Sequence, residues 1–153
     1  MARHGRASTQ NWILLVDNEQ DILDIMARVL QSAGYAIDTA NDGRAALERV
    51  SHQDYALIIS NIRMPVMGGE AFYHQLCSSH ADMSDRIIFC TGDTANAGTR
   101  RFLSATGAPV IYKPFHLHTV LDVVSSKLKV LHSPAGCPGL PLASSGPVTA
   151  PAY

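Results

Sequence analysis

Five short runs rich in apolar residues are distributed along the chain, at positions 12–16, 35–40, 55–60, 87–90 and 110–112. Each is shorter than an ordinary helix, and most lead into polar or Gly/Pro-containing segments, a pattern typical of strands in a parallel sheet. The run at 55–60 leads directly to Asn61. Because ligands gather at the carboxyl ends of strands in open α/β sheets, Asn61 is the first candidate for a functional role.

The segments between these runs follow the period of an α-helix. The first has an apolar stripe at Ile22, Ile25, Met26, Val29 and Leu30, and similar patterns cover about 43–50, 70–80, 95–106 and 117–131. Five strands alternating with five helices predict a single doubly wound α/β domain, a five-stranded parallel sheet with strand order 2-1-3-4-5. We place this domain at 12–131, between a flexible N-terminal segment at 1–11 and a disordered tail at 132–153 rich in Pro, Gly and Ser.

Composition narrows the class of protein. The 153 residues include 12 basic and 13 acidic side chains, with no basic cluster that would indicate nucleic-acid binding. No apolar run reaches the roughly 20 residues of a membrane span, and 1–11 lack the apolar stretch of a signal peptide, so we expect a cytoplasmic protein. Cys77, Cys90 and Cys137 have no CxxC spacing, which argues against a disulfide framework or a zinc site. We expect Cys77 and Cys90 to be small buried side chains.

Polar residues follow the predicted strands at the edge where parallel strands end. Asp17 follows the first strand, Asn61 the third, Thr91 the fourth and Lys113 the fifth. With strand order 2-1-3-4-5, these four residues are expected to meet at one edge of the sheet. Taken alone, Asp17 and Asn18 could simply cap the helix that follows them, and Thr91 and Lys113 could be ordinary loop residues.

Taken together, these residues give the sequence its resemblance to a family, the receiver domains of two-component response regulators. The resemblance covers about residues 12–131. It is carried by Val16-Asp17-Asn18-Glu19, by Asn61-Ile62-Arg63-Met64-Pro65 with Gly69, by Thr91-Gly92 and by Lys113-Pro114-Phe115, in the family's order. The resemblance implies phosphoryl transfer from a histidine kinase or phosphotransfer protein to an aspartate, assisted by Mg²⁺.

The resemblance also implies a role for each matching position. The positions of Asp17, Asn18 and Asn61, with the backbone carbonyl of Arg63, would hold Mg²⁺. Thr91 would donate its hydroxyl to a phosphoryl oxygen, and Lys113 would neutralise developing charge. The Lys113–Pro114 peptide bond would be the family's cis peptide.

Three departures from the family pattern change the expected function. Asn61 stands at the phosphoacceptor position, and an amide cannot replace a carboxylate oxygen as the nucleophile, so phosphorylation should fail. Asn18 stands where the second acidic residue usually follows the first strand, so Mg²⁺ should bind weakly, with Glu19 compensating only in part. Val110 replaces the aromatic residue that turns inward on activation in many members. Asn61 fits both a naturally degenerate site and an introduced substitution.

Two other functions compete with a receiver that acts by protein docking. A flavodoxin-like ligand binder would need a Gly-, Ser- or Thr-rich loop after the first strand, and the acidic 17–19 segment is the opposite. A phosphohydrolase-like enzyme would use Asp17 as its nucleophile and would need a second carboxylate nearby. No output domain is expected in this chain, which would be either a stand-alone module or the receiver of a hybrid kinase.

The remaining features have simpler interpretations. His116 and His118 are expected on different helix faces and His74 and His80 in solvent, which makes a metal site improbable. Arg100 and Arg101 are expected to be solvated or to meet an acidic partner. A homodimer, or docking to a partner, would use the face formed by the 95–106 helix, the fifth strand and the last helix.

Overall fold

A computed structural model describes residues 11–132 and contains one five-stranded sheet in which every paired strand is parallel. The strands are β1 (Trp12–Val16), β2 (Ala36–Ala40), β3 (Leu57–Asn61), β4 (Ile87–Thr91) and β5 (Val110–Tyr112). Their order is β2-β1-β3-β4-β5. The predicted fold class and strand order are therefore confirmed.

The described residues contain six helices, one more than the five predicted. They are α1 (Gln20–Ser32), α2 (Gly43–His52), α3 (Gly69–Ser79), α4 (Ala81–Ser84), α5 (Ala97–Thr106) and α6 (Leu117–His132). The additional helix, α4, is a single turn that follows a break at His80, and it buries Met83. Four residues are too few for helical periodicity to appear in a sequence, which is why the pattern did not predict α4.

The sheet separates two hydrophobic cores because side chains alternate between its faces. In β1, Leu14 and Val16 pack into the core that includes α2, α3 and α5, whereas Ile13 and Leu15 pack into the core that includes α1 and α6. All five residues of β3 and of β4 are buried. The central strands are covered on both faces, so the carboxyl-end edge of the sheet is where their polar residues can meet solvent.

The two cysteines among the described residues differ in exposure. Cys90 is buried in β4, as expected, and burial raises the pKa of its thiol to about 12. Cys77 is exposed on α3, so the prediction that it is buried was wrong. Its neighbour Leu76 takes the core-facing position, and one helical step of about 100° turns Cys77 towards solvent. Cys137 lies outside the described residues.

The prediction that His116 and His118 lie on different helix faces was also wrong. The rings of His116 and His118 stack with centroids 5.6 Å apart and an interplanar angle of 21°. Helix α6 begins only at Leu117, so His116 precedes the helix and the helical i, i+2 rule does not apply to this pair. Both side chains are exposed. His74 is exposed as predicted, and His80 is only partly exposed.

The predicted terminal segments fall mostly outside the described region. Of the flexible segment predicted at 1–11 and the disordered tail predicted at 132–153, the structure describes only residues 11 and 132. Both predictions, and the domain boundaries they imply, therefore stay predictions. Within the described residues, none of the helices combines the length and the hydrophobicity that crossing a membrane requires.

Candidate functional site

The carboxyl ends of β1, β3, β4 and β5 surround an open cleft of about 500 Å³. It is lined by Asn18, Glu19, Asn61, Arg63, Thr91, Gly92, Asp93 and Lys113. Asp17, 3% exposed, lies beneath these residues and contacts both Asn61 and Lys113. The four strand-end residues singled out in the sequence therefore do meet at one edge of the sheet.

Asn61 is the last residue of β3 and is 7% exposed. Its side-chain Nδ2 lies 2.9 Å from the backbone oxygen of Arg63, 3.2 Å from Asn18 Oδ1 and 3.4 Å from Asp17 Oδ1. Each of these oxygens accepts a hydrogen bond from the amide. Asn61 thus donates to groups of all three other residues that the family resemblance names around a metal ion.

Lys113 brings the end of β5 to the end of β1. Its Nζ lies 3.0 Å from Asp17 Oδ2 and 3.4 Å from Glu19 Oε1. Partial burial lowers the pKa of Lys113, but the hydrogen bond and charge of Asp17, helped by Glu19, outweigh burial and leave this pKa above its ordinary value. Lys113 is therefore a cation already paired with the carboxylate at the base of the cleft. The peptide bond between Lys113 and Pro114 is cis, as predicted.

Asp17 also stabilises the chain turn that leads into α1. Its Oδ1 accepts a hydrogen bond from the backbone N–H of Glu19 at 2.9 Å. The helix itself begins at Gln20, and the residue before it, Glu19, makes no side-chain capping hydrogen bond. Asp17 thus holds the loop after β1 as well as facing the site.

On the opposite side of the cleft lies an ion pair that the sequence analysis did not predict. The guanidinium of Arg63 binds the Asp93 carboxylate, with Nη2 2.8 Å and Nε 2.9 Å from Oδ2. The backbone N–H of Asp93 in turn donates to Thr91 Oγ1 at 3.0 Å. Arg63 and Asp93 each lie two residues beyond the last residue of adjacent strands, Asn61 of β3 and Thr91 of β4, and this equal offset was the available signal.

The donor set does not fit a magnesium ion. Hard divalent cations are held by several oxygen ligands, often carboxylates. Here the oxygens of Asn18, Asp17 and Arg63 converge on an N–H group, and the Asp17 carboxylate is already paired with Lys113. Among the described residues, no group of three or more His, Cys, Asp or Glu side chains is placed to hold a metal.

Comparison with known protein families decides the class of this protein. Residues 13–125 match the response regulator receiver domain. The chain belongs to the receiver domain family. Membership places the receiver domain in two-component signalling and favours that function over the flavodoxin-like and phosphohydrolase-like alternatives.

Two curated proteins illustrate how this receiver domain relates to longer and shorter relatives. The response regulator receiver protein CpdR of Brucella abortus is 28% identical over 116 residues, which cover 76% of this chain and 95% of CpdR. The autoinducer sensor kinase/phosphatase CqsS of Vibrio cholerae is 37% identical over 126 residues, which cover 82% of this chain but only 18% of CqsS. The receiver domain is therefore similar both to a nearly whole small protein and to one segment of a sensor kinase.

One solved structure of a response regulator has a fold similar to that of this chain. The response regulator TrrA of Thermotoga maritima, in complex with Mg²⁺ and beryllium fluoride, superposes with a TM-score of 0.66 at 30% identity. The match covers 76% of this chain and 98% of TrrA.

Proposed function

We propose that this receiver domain transmits its signal by docking to a histidine kinase or phosphotransfer protein and does not accept a phosphoryl group at residue 61. One observation carries the proposal: the phosphoacceptor position holds the Asn61 amide, whose nitrogen points at the Arg63 carbonyl. Formation of an acyl phosphate needs a carboxylate oxygen as nucleophile, and a carboxamide has none.

Two other groups of a phosphorylation site, Thr91 and Lys113, are retained. We assign Thr91 to phosphoryl binding and Lys113 to charge neutralisation, as the family resemblance implies. Asp17, Asn18 and the Arg63 carbonyl would be the Mg²⁺ ligands of a site that carried aspartate at position 61. In this chain Asn18 Oδ1 and the Arg63 carbonyl instead accept hydrogen bonds from Asn61, and Asp17 forms an ion pair with Lys113.

The docking surface that we propose is the face formed by α5, β5 and α6. Strand β5 is one of the two edge strands of the sheet, with α5 packed in one core and α6 in the other. Tyr112 of β5 (53%) and Val130 of α6 (68%) are exposed, and Arg101 of α5 is exposed as well. Aromatic and arginine side chains are enriched in protein interfaces, which supports this choice.

The phosphorylation proposal is tested by substituting Asn61→Asp. We expect the variant to form an acid-labile phosphate when incubated with acetyl phosphate and Mg²⁺, because the change supplies the missing nucleophile. The wild-type chain should stay unlabelled. The same is expected of Asn11→Asp, a matched change just before β1, at the end of the strands away from the cleft. The double variant Asn18→Asp/Asn61→Asp, which restores both family carboxylates, should label at least as fast.

Two results would count against the proposal in different ways. Stoichiometric labelling of the wild-type chain would show that this form is phosphorylated after all. Failure of both the single and the double variant to label, with the fold intact, would remove Thr91, Lys113 and Asn61 as a phosphorylation site.

The same face is our proposed surface for association between two copies of the chain. Sedimentation velocity over a concentration series should reveal a reversible dimer. Tyr112→Asp should abolish it, because the substitution buries a charge in the contact. Arg28→Asp, a change of an exposed residue on α1, serves as the control away from the face. A monomer at every concentration would exclude this use of the face.

A further inference from the structure

At the centre of the cleft, the side-chain amide of Asn61 has three oxygen neighbours. A carboxamide nitrogen carries two hydrogens. The Arg63 carbonyl, at 2.9 Å, takes one, and Asn18 Oδ1 and Asp17 Oδ1, at 3.2 and 3.4 Å, share the other. The reverse orientation would set the amide oxygen against a carbonyl oxygen, so the neighbours determine which end of the amide points inward.

These three oxygens are those that the family resemblance places around the divalent cation, together with residue 61 itself. In this chain the fourth member donates hydrogen bonds to the other three. Its N–H group carries a partial positive charge at the point where the oxygens converge. A hydrogen-bond donor therefore stands where a cation would otherwise organise the same oxygens.

The charge of the pocket is also balanced without a cation. Asp17 is 3% exposed, and its Oδ2 is paired with Lys113 Nζ at 3.0 Å. Its other oxygen accepts hydrogen bonds from the Glu19 N–H and from Asn61. An aspartate at position 61 would add a second buried carboxylate about as close as the present amide, and like charges at that distance need a compensating cation.

We propose that the side-chain amide of Asn61 replaces the divalent cation of this receiver site, so that the pocket is closed by its own hydrogen bonds and is independent of Mg²⁺. The inference rests on the proposed function and deepens it, since it states how a site without a phosphoacceptor stays ordered. The Asn61 amide, a neutral hydrogen-bond donor, orders the oxygens that a metal ion would otherwise hold in place. No ligand has to bind for the cleft to keep its shape.

The first test uses the wild-type chain alone. Mn²⁺ is a paramagnetic probe of magnesium sites, and a bound ion would selectively broaden the amide NMR signals of Asp17, Asn61 and Arg63. We expect no selective broadening, no saturable heat in calorimetric titration with Mg²⁺, and the same Tm in excess Mg²⁺ as in EDTA. Saturable binding or selective broadening would overturn the proposal.

The second test replaces the Asn61 amide with a carboxylate. Asn61→Asp should have a lower Tm than wild type in EDTA, because two carboxylates then face each other, and it should regain several degrees in excess Mg²⁺. Asn11→Asp introduces the same change of charge just before β1, at the end of the strands away from the cleft. This variant should behave as wild type in both conditions. A variant at position 61 whose Tm does not depend on Mg²⁺ would show that the amide is not what replaces the ion.

The outcomes separate this proposal from the proposed function. Phosphate labelling reports whether residue 61 is an acceptor, and metal binding to the wild-type chain reports whether the amide replaces the cation. If Asn61→Asp does not fold, the wild-type titration with Mn²⁺ still decides the question.

Discussion

At the scale of single residues, the proposed loss of phosphorylation depends on one side-chain group, the Asn61 amide. Asparagine and aspartate have nearly the same shape, so Asn61 fits the end of β3 without altering the strand. The difference is chemical: an oxygen that could attack phosphorus, or bind a cation, becomes a nitrogen that donates hydrogen bonds to Arg63, Asn18 and Asp17. The fold is kept while the chemistry at this position changes.

Val66 has a backbone conformation that is unfavourable for its β-branched side chain. It lies in the loop between β3 and α3 with φ of +67°, and 74% of its surface is exposed. The left-handed region costs an L-residue about 1–2 kcal/mol, and a β-branched side chain suits it poorly.

We therefore expect Val66→Gly to raise the free energy of unfolding by about 1 kcal/mol, since glycine adopts positive φ without steric strain. Urea denaturation of both proteins measures the change. Val66→Ala is the matched control, because it removes the branched side chain but keeps a Cβ. Equal stability of the glycine and alanine variants would argue against backbone strain at this position.

At the scale of elements, the loop between β3 and α3 holds the site in place. The backbone N–H of Gly69, the first residue of α3, donates to the Ile62 carbonyl at 2.8 Å. The N–H of Gly43, the first residue of α2, donates to the Met67 carbonyl at 2.7 Å. Two helix starts are thereby tied to the segment that follows Asn61, and glycine is required where α3 meets the strand end.

Substitution of Gly69→Ala should disturb the site from outside the cleft. An added Cβ would collide with the backbone carbonyl of Asn61 and lie 3.0 Å from Ile62 Cα, so strand and helix must move apart. We expect a loss of about 1–3 kcal/mol in the free energy of unfolding, the usual cost of overpacking, and altered NMR shifts for Asn61.

Gly92→Ala provides the matched control. An added Cβ there would lie 3.6 Å from Lys113 Cβ, an ordinary contact, although Gly92 lines the same cleft. Equal effects of the two substitutions would show that the approach of α3 to β3 is not the determining contact.

At the scale of the whole molecule, partly buried polar contacts join segments that are distant in sequence. The hydroxyl of Tyr55, a residue 1% exposed just before β3, donates to Asp38 Oδ2 at 2.6 Å in β2. Arg86, before β4, donates from Nη1 to the Tyr55 carbonyl at 2.9 Å. Burial, followed by the hydrogen bond to Asp38 and the charge of that carboxylate, raises the pKa of Tyr55 well above its ordinary value of 10.0.

This raised pKa predicts how global stability depends on alkaline pH. The unfolded chain loses the Tyr55 proton above about pH 10, while the folded chain keeps it, so the contribution is complete below pH 10 and is lost as pH rises towards the folded-state pKa. We expect a loss of about 1.4 kcal/mol per pH unit from this group in that range. Urea denaturation at a series of pH values measures it.

Tyr55→Phe should lack this part of the pH dependence, because phenylalanine does not ionise. Tyr112→Phe, at an exposed position, is the matched control and should keep the wild-type slope. Identical slopes for Tyr55→Phe and wild type between pH 10 and 12 would contradict the assignment.

Sequence patterns predicted most of the fold because the relevant signals are local or periodic. Runs such as 12–16 and 87–90 are apolar throughout because both faces of the sheet are covered. Periodicity could not predict α4, which is a single turn, or the exposure of Cys77, which depends on the neighbouring Leu76 facing the core. The Arg63–Asp93 ion pair joins residues 30 positions apart, and it required knowing that β3 and β4 are adjacent.

The sequence by itself determined the order of strands and helices, the residues at the strand ends and the absence of a carboxylate at position 61. These follow from residue identity and spacing along the chain. Only the tertiary structure decided that the Asn61 amide donates to Arg63, Asn18 and Asp17, and that Lys113 pairs with Asp17 from 96 positions away. Hydrogen-bond direction and charge pairing depend on distances of about 3 Å, most of them between segments far apart in sequence, which folding alone sets.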